Sequence, residues 1–172
     1  MSAVEFIRGV LDGSYSWDLR DLLRKGDDAE IRLPQDEKIR HLQKVDIFAD
    51  STRKQLKAVA AISRVIEAPT GTVLTRAGEP GEEFFFILDG AAMVEVTRRK
   101  RVRLLPGEFF GEMSLLDGEP RSATVRAETD MRLLVILRRN FQSLLSEVPE
   151  LTRSILIVLS RRLRDLERTL NA

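Results

Sequence analysis

A mainly β fold, a sandwich or barrel flanked by α-helices, is what this 172-residue sequence predicts. Two observations carry the prediction. Between about Arg64 and Leu137 the apolar residues come in short runs with the period of strands, cut repeatedly by Gly and Pro. On both sides of that stretch apolar residues recur at steps of three and four, the period of helices. With 43% apolar and 32% charged residues, the chain is long and apolar enough for one domain with an ordinary core plus an appendage.

Residues 1 to about 34 read as a helical N-terminal extension. Val4, Ile7, Val10 and Leu11 share a face, Gly13 ends it, and Ser16-Trp17-Asp18-Leu19 opens a second short helix. This extension either packs on its own domain or, with the only tryptophan at its centre, docks an effector protein. Residues 35–172 then form the main domain. Asp36 to Lys44 predicts a helix, Val45 to Phe48 an apolar knot, and Lys54 to Ser63 a second helix behind the Asp50-Ser51-Thr52 cap. Strands are expected at Arg64–Ala68, Val73–Thr75, Phe84–Leu88, Ala91–Thr97 and Val102–Leu105, then at Ala123–Ala127 and Arg132–Leu137. The three successive phenylalanines at 84–86 read as core, not as a platform for a base. C-terminal helices fill about 139–171. In the last of them Leu156, Leu159, Leu163, Leu166 and Leu170 have coiled-coil spacing, which suits either a seam on the chain's own domain or one on a second copy.

The stretch Phe110 to Val125 carries the chemistry. Pro106-Gly107 and Gly111 break the chain, Glu112 to Leu116 has room for one helical turn, and Pro120-Arg121-Ser122 follows before the next strand. Unpaired amides at such a turn (around Gly111 to Met113 and at Ser122-Ala123), the Arg121 guanidinium and the Ser122 hydroxyl together suit a singly charged phosphodiester. Glu112 beside a phosphate makes sense if the ligand also brings a sugar hydroxyl that needs an acceptor. Phosphate plus ribose hydroxyl describes a nucleotide.

Phe110-Gly111-Glu112, then Leu115, then Pro120-Arg121-Ser122-Ala123-Thr124-Val125, resembles the phosphate-binding cassette of the cyclic-nucleotide-binding domain family. That family includes the bacterial catabolite activator protein, the regulatory subunits of protein kinase A and the cyclic-nucleotide-gated channels. The similarity extends from about Leu42 to Leu170. It implies a jelly-roll-like eight-stranded barrel, with Glu112 as acceptor for the ribose 2′-hydroxyl and Arg121 as ligand of the cyclic phosphate. It also implies that the last helix covers the base, with Leu163 or Leu166 against the purine, and that a homodimer forms through that helix. Ser122 after the arginine leans to cyclic AMP, with cyclic GMP as the alternative.

Other classes find little support. The sole histidine, His41, sits among Arg40 and Lys44 on a helix; no Ser or Thr has a partner base, and no carboxylates have metal spacing. The chain is therefore expected to be no enzyme and to need no cofactor beyond its ligand. A net charge of +1 offers no electrostatic case for nucleic acid or a membrane, and Arg98-Arg99-Lys100-Arg101 reads as a solvated turn. No helix-turn-helix precedes the end at Ala172, so direct DNA binding is not expected. The absence of cysteine and of a signal-peptide pattern makes a cytoplasmic location the default. The competing functional class is an interaction module whose β domain is only a scaffold.

Overall fold

The computed structural model describes residues 30–45, 48–96 and 98–171, so the helical extension read over 1–34 lies outside the described residues up to residue 29. The chain divides into a β unit, built from the segment ending at Arg32 and from Arg64–Val135, and a helical unit, Leu33–Ser63 with Ile136 onward.

Nine strands are present among the described residues. They are β1 (Glu30–Ile31), β2 (Ser63–Ala68), β3 (Val73–Thr75), β4 (Glu83–Asp89), β5 (Ala92–Glu95), β6 (Arg101–Leu104), β7 (Phe109–Phe110), β8 (Thr124–Ala127) and β9 (Met131–Leu137). One sheet runs β1-β2-β9-β4-β7 and the other β3-β8-β5-β6. The jelly-roll-like class is as expected. Two details differ from an eight-stranded barrel: there is a ninth strand, and the strand orders leave two separate sheets instead of one closed ring. Both additions to the predicted strand set, β1 and β7, are two residues long, too short to show a period.

The sheets face each other across one apolar core. Ile66, Phe85, Ile87, Phe110, Leu133 and Val135 come from the first sheet, and Leu74, Ala92, Leu104, Val125 and Ala127 from the second. All three phenylalanines of β4 are buried because both faces of that strand are covered. Phe85 stacks on Phe110 with ring centroids 4.6 Å apart inside this core. Phe84, Phe86 and Phe109 make a second aromatic cluster on the opposite face.

In the helical unit, α1 (Gln35–Leu42) packs on α2 (Arg53–Ile62). Thr52 caps α2 reciprocally: its hydroxyl accepts from the Gln55 amide at 3.2 Å, and Gln55 Oε1 accepts from the Thr52 amide at 2.7 Å. The other end of α2 is closed by Lys38, whose Nζ donates to the Ser63 carbonyl at 2.7 Å. After β9 the chain continues into α4 (Arg138–Glu147) and α5 (Pro149–Leu170), with Pro149 at the first turn where its missing N–H costs nothing. Gln55 Nε2 donates to Glu150 at 2.9 Å and so ties α2 to the start of α5. Only Leu151 and Ile155 of α5 are fully buried. Its 22 residues extend about 33 Å, so most of its length carries its leucines uncovered.

Candidate ligand-binding site

Strand β7 delivers the chain to Gly111, which stands at φ 89. That left-handed turn favours glycine, and a β-carbon there would also sit 2.8 Å from the Glu83 carbonyl oxygen and 2.9 Å from Arg121 Nη1. Gly111 opens the short helix α3 (Glu112–Asp117), which Gly118 closes in the same left-handed region. Glu112, Ser114 and Leu115 turn inward and are buried, whereas Met113 and Leu116 are exposed. The expected single helical turn is therefore present, with Glu112 beneath it.

Arg121 is the organising side chain. It is 6% exposed, an unusual position for a guanidinium, and its bonds explain how it is tolerated. Nη1 donates to the Gly111 carbonyl at 2.9 Å, and Nη2 donates to the Glu83 carbonyl at 2.8 Å and to the Glu83 carboxylate at 3.2 Å. Its own backbone is clamped as well: the Arg121 amide donates to Glu79 O and the Gly78 amide donates to Arg121 O, both at 2.8 Å. The guanidinium carbon lies 5.9 Å from the centroid of the Phe85 ring, which supplies an apolar floor. Burial pulls the Arg121 pKa below the ordinary arginine range, and Glu83 first, then Glu112 and Glu82, oppose that pull.

Of the five N–H donors of a guanidinium, the bonds named above use three, one on Nη1 and two on Nη2. None of those bonds uses the Nε–H. Gly81, itself buried, lies directly against the guanidinium. A β-carbon at residue 81 would come within 2.7 Å of Arg121 Nε, 2.8 Å of Cζ and 2.5 Å of the Ser114 β-carbon.

Gly111, Glu112, Met113, Arg121, Ser122 and Ala123 thus lie in one neighbourhood of the β unit. Ser122 is exposed, its hydroxyl 3.8 Å from the Met113 sulfur, and the Ala123 carbonyl accepts from the Thr75 hydroxyl at 3.0 Å. Leu163 and Leu166 belong to the helical unit, on α5, where they are 58% and 46% exposed. Sequence reasoning missed Glu83 and Gly81. The ion pair of Arg121 is with Glu83, and Glu112 acts on the guanidinium through its charge. The only signal for either missed residue was the Gly81-Glu82-Glu83 run, which reads locally as a turn entering a strand.

Comparison with known proteins places this geometry. The family model described as the cyclic nucleotide-binding domain matches residues 65–148. Over 107 residues the chain is 48% identical to a cyclic nucleotide-gated potassium channel of Mesorhizobium japonicum, covering 62% of this chain and 30% of the channel. It is 30% identical over 130 residues to a CRP-like cAMP-activated global transcriptional regulator of Mycobacterium tuberculosis, covering 72% of this chain and 57% of the regulator. The chain therefore spans less than two thirds of the length of these curated relatives. Among solved structures, cAMP-bound PfPKA-R superposes with a TM-score of 0.67 at 26% identity, over 80% of this chain and 46% of that one. Matching sequence, matching two-sheet fold and a buried arginine in the matching stretch lead to one conclusion: the chain, through residues 65–148, belongs to the cyclic nucleotide-binding domain family.

Proposed function

We propose that this chain is a non-enzymatic receptor for a cyclic nucleotide, cyclic AMP in the first place. The observation that supports it best is Arg121, a guanidinium buried within the stretch that matches the family model, held by two carbonyls and Glu83 and packed against Gly81. The cyclic phosphate would dock on this guanidinium. The Ser122 hydroxyl would exchange its weak sulfur contact for a phosphate oxygen, and Glu112 would accept from the ribose 2′-hydroxyl. The preference for cyclic AMP rests on Ser122 and on relatives described as cAMP-bound or cAMP-activated. Calorimetric titration with cyclic AMP, cyclic GMP and a cyclic dinucleotide tests the reading. Saturable binding of cyclic AMP, with cyclic GMP weaker, is expected; heat from none of the three would leave only a scaffold.

The proposal extends to α5. Leu156, Leu163, Leu166 and Leu170 are all exposed, an apolar stripe that a single chain leaves in water. A second copy of the helix would cover it at coiled-coil spacing, and ligand binding would bias the helix between two positions through its different affinity for each. Leu163 or Leu166 would meet the purine in the bound position. Light scattering of a chain truncated before Arg161 is expected to give the monomer mass while the intact chain gives twice that. Equal masses would remove the C-terminal seam from the proposal. Among the described residues no helix is long and apolar enough to cross a membrane, and no cluster of His, Cys, Asp or Glu could hold a metal ion.

A further inference from the structure

The hairpin formed by β5 and β6 concentrates charge in a way the rest of the chain does not. Arg98, Arg99, Lys100, Arg101 and Arg103 place five positive charges within six residues, whereas the whole chain carries +1, so the remainder is negative by four. The strands pair from Ala92↔Leu104 to Glu95↔Arg101, and the Val96 amide donates to the Lys100 carbonyl at 3.0 Å. That bond closes the turn and leaves Arg98 and Arg99 at its tip, both exposed. Among the described residues β6 is the outermost strand of its sheet. Within this cationic stretch Arg103 pairs with Glu128, while Glu95 pairs with Arg126 of the neighbouring strand.

Aliphatic surface accompanies the charge. Val96 beside the tip, Val102 on β6 and Leu105 just after it are 41%, 38% and 46% exposed. Cations beside uncovered aliphatic side chains, on a narrow projecting turn, match the headgroup and upper acyl region of an anionic bilayer. There arginines pair with phosphates while their stems and the valines enter the apolar boundary. A nucleic acid would call for an aromatic stacking surface or a helix for a groove; residues 95–105 contain no aromatic residue, and none of the described ones among them is helical. We propose that the β5–β6 hairpin is a docking surface for an anionic phospholipid bilayer. Because the tip charges lie within one Debye length of one another, they act on such a surface together.

Co-sedimentation of the full chain with phosphatidylcholine vesicles, with and without phosphatidylserine, is the test. Binding is expected only to the serine-containing vesicles and should fall steeply with added salt. Each basic residue near an anionic surface contributes about fivefold, so Arg98→Gln/Arg99→Gln/Lys100→Gln should weaken vesicle binding on the order of a hundredfold. The same variant should keep its urea midpoint and circular dichroism spectrum. Arg98→Lys/Arg99→Lys should bind vesicles as the wild type does, and Val96→Ser should weaken binding to vesicles but not to heparin. The proposal is overturned by equal pelleting with both vesicle types or by no pelleting. It is also overturned by a triple variant that binds like wild type, or by tighter association with duplex DNA than with serine-containing vesicles.

Discussion

Replacing Arg121 with alanine is expected to weaken cyclic-nucleotide binding by roughly 3–5 kcal/mol, from about a hundredfold to beyond a thousandfold in Kd. The size follows from where the guanidinium sits. It is almost fully removed from water, so its charge would act on a phosphate with little screening. Removing the side chain also leaves the Gly111 and Glu83 carbonyls and the Glu83 carboxylate without their donor, and it places a carboxylate pair, Glu83 and Glu112, near an incoming anion. Arg121→Lys keeps a charge but cannot reproduce the planar fork, so its affinity should fall between those of wild type and alanine. Calorimetry on the three proteins, with circular dichroism to verify folding, reads this directly. Equal affinity of wild type and Arg121→Ala would remove Arg121 from the binding site.

Phe85→Ala is expected to cost about 3–5 kcal/mol of stability, the range for truncating a fully buried aromatic. Phe85 supports both the core and the candidate site. Its ring stacks on Phe110, which leads into Gly111, and it floors the Arg121 guanidinium. Urea unfolding should show a clearly lowered midpoint at an unchanged slope, and Phe85→Leu should recover most of the loss because it restores volume. An unfolding free energy within about 1 kcal/mol of wild type would mean that the ring is not a support of the core.

Much of this fold could be read from the chain because its signals are local. Gly and Pro divide the strands, Thr52 with Gln55 spells a capping box, and three consecutive phenylalanines can only be buried on both faces of a covered strand. The cassette was legible for the same reason, since Gly111, Glu112, Arg121 and Ser122 fall within a dozen residues. What escaped depends on separation. Glu83 reaches Arg121 across 38 positions, and Gly81 matters only because that guanidinium is laid against it. β1 and β7 acquire their identity from partners, β2 at Val65–Ile66 and β4 at Phe85–Phe86, and two residues carry no period of their own. The open sheets likewise depend on which edges meet, a property no single segment encodes.

The strand order also bears on how the domain comes to exist. β9, the last strand in the chain, lies between β2 and β4 in the middle of its sheet. While the protein is being made, β2 and β4 emerge long before the strand that joins them, and each presents an unsatisfied edge until Met131–Leu137 clears the ribosome. Pairings of such long sequence separation form slowly, so the nascent domain passes through an interval in which the phenylalanines of β4 have no central neighbour. The candidate site is therefore assembled last: the frame that carries Glu83 to Arg121 is completed only when β9 takes its place in the sheet.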